Sequence, residues 1–289
     1  MTAVSDALGR ARAEGRAALI GYLPVGFPTV EMSIEGIRAL TEGGVDIVEV
    51  GVPYSDPVMD GPTIQRATEQ AVRNGVGLAD ALRGVAAVAE AGAAAVTMGY
   101  WNQVERFGVD RFAAELAAAG GSGAITPDLI PDEAGEWLAA AEKHDLDRVF
   151  LVAPSSTDAR IRSTAAASRG FVYAAAVMGV TGARASVGDA AEGLVNRVRS
   201  LAPDVPVCVG LGVSTGAQAA QVARFADGVM SVRPWCAACS IRRTRTAWTR
   251  CGSWPPNWRR ESAGPRRRAS GTRCSTSPAC GRSRCCHRR

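Results

Sequence analysis

Glu49 and Asp60 are the side chains of this 289-residue sequence best suited to moving protons. Residues 45–52 have the length and Val/Ile content of a strand buried on both faces. Glu49 interrupts its apolar run, Ile47-Val48-Glu49-Val50-Gly51-Val52. Side chains alternate along a strand, so Glu49 shares a face with Ile47 and Gly51 while Val48, Val50 and Val52 share the other. In a closed barrel that face is the interior. A carboxyl held in the carboxy-terminal mouth and stripped of water becomes a weaker acid, able to give and take a proton near neutrality. The run then breaks into Ser55-Asp56-Pro57 and Asp60-Gly61-Pro62, where Pro62 can open a helix and Asp60 stands at its entrance. The same residues also read as a solvent-facing Glu on an edge strand and a plain turn Asp, and spacing alone leaves both readings open.

A frame for such a pair is legible along the chain. Strands are expected near residues 17–23, 45–52, 94–100, 122–126, 148–152, 171–177, 205–210 and 226–230. Helices are expected at 29–43, where Thr29 can cap, and near 63–73, 78–91, 109–119, 132–143, 158–168, 189–200 and 215–223, with a short amphipathic helix at 4–14 ahead of the first strand. Eight alternating units in the first 230 residues predict a (β/α)8 TIM barrel rather than an open doubly wound sheet. Two glycine-rich loops, Gly179-Val180-Thr181-Gly182 and Gly210-Leu211-Gly212-Val213-Ser214, follow the sixth and seventh strands. Backbone N–H groups freed at such turns can bind a phosphate, although both loops also read as ordinary strand-to-helix turns.

The net charge of +5 hides an asymmetry. Residues 231–289 hold 15 Arg, no Lys and one acid, Glu261, which leaves a body of net −9. Seven of the eight Cys lie in that tail, so the body's Cys208, in an apolar strand, reads as core. No apolar run approaches the ~20 residues that span a bilayer, and no basic segment with a following apolar stretch opens the chain. A soluble cytoplasmic protein is the expectation. The body shows no metal-ligand spacing, and His144 reads as a solvated helix-end residue.

The stretch Glu49-x-Gly51-x-Pro53-Tyr54-Ser55-Asp56-Pro57-x-x-Asp60-Gly61-Pro62-x-Ile64-Gln65 resembles the signature of the tryptophan synthase α subunit family. The resemblance runs from about Gly21 to Met230, through Gly26-Phe27-Pro28-Thr29, Met98-Gly99-Tyr100-Trp101-Asn102, Pro127-Asp128-Leu129-Ile130-Pro131, Gly179 to Arg184 and Gly210 to Ser214. It implies retro-aldol cleavage of indole-3-glycerol phosphate to indole and glyceraldehyde 3-phosphate, with no metal or cofactor in this chain. It further implies that Glu49 transfers protons, that Asp60 accepts the indole N–H, and that Tyr22, Ile64, Tyr100 and Tyr173 line the pocket. Gly182, Gly210 and Gly212 are implied at the phosphate and Thr181 in a mobile lid. Pro53, Asp56, Pro57 and Asn102 are implied at the surface meeting a β subunit that carries pyridoxal phosphate in an α2β2 assembly, and Asp128 near that surface. Two other readings of the body stay open: a non-catalytic barrel that regulates a β subunit, and another phosphate-binding barrel enzyme of amino-acid biosynthesis.

The resemblance stops at Met230. The family's eighth strand leads into a Gly-Ser pair and an apolar helix, whereas this chain continues Ser231-Val232-Arg233-Pro234-Trp235-Cys236. Residues 231–289 are expected to form a basic tail of low order, separate from the catalytic barrel of residues 1–230. Their Arg/Cys/Trp/Pro composition matches G/C-rich DNA translated out of frame. A single base restored after the Met230 codon is compatible with Met-(Val/Ile)-Gly-Ser-Ala-Leu-Val. Fifteen Arg would also attract nucleic acid and Cys236-x-x-Cys239 could begin a zinc site, but the remaining Cys do not repeat a ribbon or finger spacing, and neither role is expected.

Overall fold

The computed structural model describes residues 2–175, 187–210, 213 and 216–231. Its elements alternate as the apolar periods require. Helix α1 (Ala3–Ala13) precedes β1 (Ala18–Pro24), α2 (Val30–Glu42), β2 (Ile47–Gly51), α3 (Pro62–Arg73), α4 (Leu78–Glu90) and β3 (Ala94–Met98). There follow α5 (Trp101–Phe107), α6 (Val109–Ala118), β4 (Gly123–Ile125), α7 (Gly135–Lys143), β5 (Asp147–Val149), β6 (Leu151–Val152), α8 (Asp158–Ala167) and β7 (Val172–Ala175). Then come α9 (Val187–Leu201), β8 (Val207–Gly210), α10 (Gly216–Val222) and β9 (Gly228–Ser231).

All strand pairs are parallel, in the order β5-β4-β3-β2-β1-β9-β8-β7-β6. The two ends of that order, β5 and β6, are consecutive pieces of one run broken at Phe150, so the sheet comes round on itself as a barrel. β5 pairs with β4 and β6 with β7. The Arg148 and Arg169 backbones exchange hydrogen bonds of 3.2 and 2.9 Å, and the Tyr173 N–H donates to the Phe150 carbonyl at 3.0 Å. The fifth strand expected near 148–152 is therefore two segments, because its neighbour changes from β4 to β7 partway along.

Two apolar layers result. One fills the space between the strands and the outer helices, with Val48, Val50, Val85, Phe112, Trp137 and Phe150 among its members. The other fills the barrel itself: Ile20, Ile47, Val96, Ile125, Val149, Phe171, Tyr173, Cys208 and Met230 pack with Val4, Ala7, Leu8 and Ala11 of α1. Helix α1 thus stoppers the amino-terminal end of the barrel. Its Thr2 accepts from the Ser5 N–H as N-cap and donates from Oγ1 to Asp147 Oδ2, at the start of β5, at 2.5 Å. With that end closed, the carboxy-terminal mouth is the one left to hold chemistry.

Thr29 caps α2 by accepting from the Met32 N–H, and Pro62 occupies the first turn of α3, as the sequence predicts. Helix α5 has no counterpart among the sequence expectations. Its seven residues bury only Val104, too little for a readable period, and its first N–H, on Trp101, is capped from a distant loop by the Asp128 carboxylate at 2.9 and 3.1 Å. Of the expected tail 231–289, Ser231 is buried at the end of β9, paired beside β1, and residues 232–289, like the expected lid and phosphate positions Thr181, Gly182 and Gly212, lie outside the described residues.

Candidate active site

Glu49 is the third residue of β2, in register with Tyr22 of β1 and Val96 of β3, and only 2% of its surface is exposed. Burial, and after it the charge of Asp60, raises its pKa to about 8. Asp60 is half-buried just ahead of the Gly61 cap of α3, and burial raises its pKa to about 6. The two carboxyls lie near enough for the charge of Asp60 to act on Glu49. At pH 7 the tendency is for one to be neutral and the other ionised, although so close a pair titrates as a unit.

Of the side chains expected at a pocket, Tyr173 feels the charges of both carboxyls and Tyr100 that of Asp60. Tyr173 of β7 is buried, and its hydroxyl is pushed well above the ordinary phenol value by burial first, then by the charges of Glu49 and Asp60. It remains a neutral donor throughout the physiological range. Tyr22 and Ile64 are buried, the latter in the first turn of α3. Two glycines make the aromatic placement possible. A Cβ on Gly210 would stand 2.1 Å from the Tyr173 hydroxyl, and one on Gly51 would stand 2.5 Å from that of Tyr22. Both positions therefore need the missing side chain for space.

Tyr100, buried just ahead of α5, stacks on Tyr54 with ring centroids 4.8 Å apart. Its hydroxyl accepts the Met59 N–H at 3.1 Å, one residue before Asp60. Burial, chiefly, raises its pKa too. Asn102 Nδ2 donates to the Tyr54 hydroxyl at 3.3 Å, Gln103 Nε2 to the Pro53 carbonyl at 2.7 Å, and Gln65 Nε2 to the Asp60 carbonyl at 2.8 Å. The loop from Pro53 to Asp60 is thus held by α5 on one side and α3 on the other.

Of the positions expected at a partner surface, Asp56 and Asn102 are exposed, Pro57 is half-buried and Pro53 is buried, its carbonyl facing Gln103. Val58 in the same loop is 78% exposed and Ile130 in the neighbouring loop 39%. His144 ends α7, where with Lys143 it contacts Asp110, remote in role from the carboxyl pair. Cys208 is core inside the barrel. Among the described residues no cluster of three or more His, Cys, Asp or Glu could hold a metal, and no helix is long and apolar enough to cross a membrane. Sequence reasoning assigned no role to Tyr54 or Gln103. Tyr54 stood inside the quoted signature, but Gln103 carries no local signal, since its partner is fifty residues away.

Comparison with known proteins points the same way. The Tryptophan synthase alpha chain family matches residues 8–234. The tryptophan synthase alpha chain of Mycobacterium marinum is 64% identical over 219 residues, which cover 76% of this chain and 81% of the relative. That of Thermobifida fusca is 58% identical over 238 residues, 82% of this chain and 88% of the relative. Among solved structures, Mycobacterium tuberculosis tryptophan synthase superposes with a TM-score of 0.82 at 52% identity, covering 91% of this chain and 99% of that one. Tryptophan synthase subunit alpha from Legionella pneumophila keeps a TM-score of 0.77 at 27% identity, covering 90% and 98%. A parallel barrel with a buried glutamate at its open mouth and this extent of shared sequence places the chain in the tryptophan synthase α chain family, lyases that cleave indole-3-glycerol phosphate in tryptophan biosynthesis.

Proposed function

We propose that this chain performs the family's retro-aldol cleavage with Glu49 as the residue that carries the proton and Asp60 as the carboxylate that steadies the ring. The observation that supports it is the pair of raised pKa values, about 8 for Glu49 and about 6 for Asp60, which leaves one acid and one base side by side near pH 7. Neutral Glu49 gives its proton to the indole carbon that bears the glycerol chain, and positive charge develops toward the ring nitrogen. The Asp60 carboxylate accepts the ring N–H and stabilises that charge in a site shielded from water. Glu49, now ionised, takes the proton of the hydroxyl next to the ring. The O–H electron pair becomes the aldehyde C=O as the carbon–carbon bond breaks, and the bonding pair returns to the indole. Glu49 ends protonated, as it began.

Tyr22, Ile64, Tyr100 and Tyr173 are assigned to the indole pocket, Gly210 with Gly182 and Gly212 to the phosphate, and Thr181 to a lid. The exposed group Asp56, Val58, Asn102 and Ile130 beside this mouth suits a protein partner, which we assign as a β subunit holding pyridoxal phosphate in an α2β2 assembly in the cytoplasm; Pro57 and, once the loop adjusts, Pro53 would adjoin it. We assign residues 231–289 to an out-of-frame reading, which sequencing the coding DNA across codons 228–238 tests: an extra base restores the family's ending, and an unchanged frame rejects the assignment.

Indole release from indole-3-glycerol phosphate tests the chemistry. Glu49→Gln and Asp60→Asn should each lower it by a hundredfold or more. Release that survives Glu49→Gln sinks the assignment. Lost cleavage with intact stimulation of a β subunit separates catalysis from regulation.

A further inference from the structure

We propose that Gln103 is a positioning residue for Asp60, acting through the Pro53 carbonyl to fix the loop that carries it. The inference rests on the role given to Asp60 above. That loop leaves β2 at Val52, whose N–H still donates to the Met98 carbonyl at 2.8 Å, and reaches α3 at Pro62. Between those ends it forms no strand or helix. Its attachments to α5 and the residue before it include the Pro53 carbonyl to Gln103, the Tyr54 hydroxyl to Asn102, the Tyr54 ring on Tyr100, and the Met59 N–H to Tyr100. Gln103 makes the shortest of the three hydrogen bonds, at 2.7 Å against 3.3 and 3.1 Å, and it grips the loop at its first turn. A carbonyl can only accept, so the amide must present its NH2 group there, and this fixes the orientation of the side chain.

The other half of the amide shows what the position costs. Gln103 Oε1 is buried and has no hydrogen-bond partner among the described residues. A side chain present only to fill space would do better without it, because an unsatisfied buried acceptor is destabilising. The donor is what the site uses, and its effect reaches Asp60 through seven residues of loop, whose middle is held by a local contact of Ser55 Oγ to Asp56 at 2.5 Å and by the Val58 backbone at the Tyr100 hydroxyl. Loosening the first turn frees the Pro53 end of the loop, so that it pulls on the anchors Tyr100 and Gln65 hold at the other end and shifts Asp60 from the ring nitrogen it is to meet. Misplacement of a charge-stabilising group acts on turnover more than on substrate binding, because the ring charge exists only in the transition state.

The test is Gln103→Met, which keeps length and volume but has no donor, measured beside Gln103→Asn, which keeps the amide but draws it back by one methylene, and Asp60→Asn. In both Gln103 variants kcat should fall about tenfold with KM changed less than threefold, and the acid limb of the kcat/KM profile should move downward from about 6 as Asp60 regains water. The melting temperature of Gln103→Met should stay close to that of the parent, since the orphan Oε1 leaves while the Pro53 carbonyl loses its donor. Parental kcat and an unmoved limb in the two variants overturn the proposal, and so does a loss confined to melting temperature. If Asp60→Asn itself retains parental turnover, the reading of Asp60 fails instead, and Gln103 is left without a target.

Discussion

Glu49 is a weaker acid than an ordinary carboxyl because the fold denies it water. Its pKa of about 8 and that of Asp60, about 6, predict a bell-shaped kcat/KM profile for indole-3-glycerol phosphate cleavage, rising as Asp60 ionises and falling as Glu49 loses its proton. Asp60→Asn should erase the acid limb along with most of the activity, a result read from the profile of the residual rate. The same burial has a stability cost with a definite sign. The folded pKa of Glu49 lies above its ordinary 4.5, so its stabilising contribution as a neutral group is complete below pH 4.5 and is lost as pH rises through 8. Glu49→Gln should therefore raise the unfolding free energy by an amount on the order of 4 kcal/mol at pH 8.5 and by little at pH 4.5, as urea titrations at the two pH values would show. An equal gain at both would mean that the carboxyl is not buried as an acid.

Among the elements, β7 and β8 pair along Val172–Ala175 and Val207–Gly210, and a glycine on one makes room for an aromatic ring on the other. Tyr173 leans over Gly210, where an added methyl would lie 2.1 Å from its hydroxyl. Gly210→Ala should displace the tyrosine from the site and destabilise the barrel by about 1–3 kcal/mol, with a larger loss in kcat/KM than the same change at a helix-surface glycine such as Gly135, whose surroundings are open. Thermal melting and indole release together check both parts. That Gly210 ends a strand was readable from the run at 205–210. That it clears room for Tyr173 was not, because the two residues meet only when β7 and β8 pair, with Tyr173 beside Cys208 and Ala175 beside Gly210.

At the scale of the whole molecule the barrel has one closed end and one open end. Helix α1 closes the amino-terminal end by inserting Leu8 into the interior layer, with 5% of its surface exposed. Leu8→Ala should cost about 2–4 kcal/mol of stability, yet leave the pH limbs of cleavage where they are, since the carboxyls sit at the other end. Shifted limbs in that variant would show that the stopper and the site are coupled. The open end carries both the carboxyls and the exposed Val58 and Ile130, so the proposed substrate entry and the proposed partner surface share one face.

The sequence by itself determined the strand and helix alternation, the barrel, the face of β2 on which Glu49 lies, and the helix start at Pro62, because each follows from a local period or a backbone preference. Tertiary structure decided what those local rules cannot see. It split the run at 147–152 between two neighbours and stabilised α5 through Asp128, a cap twenty-seven residues from the N–H it accepts. It also set Gln103 against Pro53, and it raised the pKa values of Glu49 and Asp60 by surrounding them with elements distant in the chain. A carboxylate's type is written in one codon, but its acidity is set by how much water the folded chain leaves beside it.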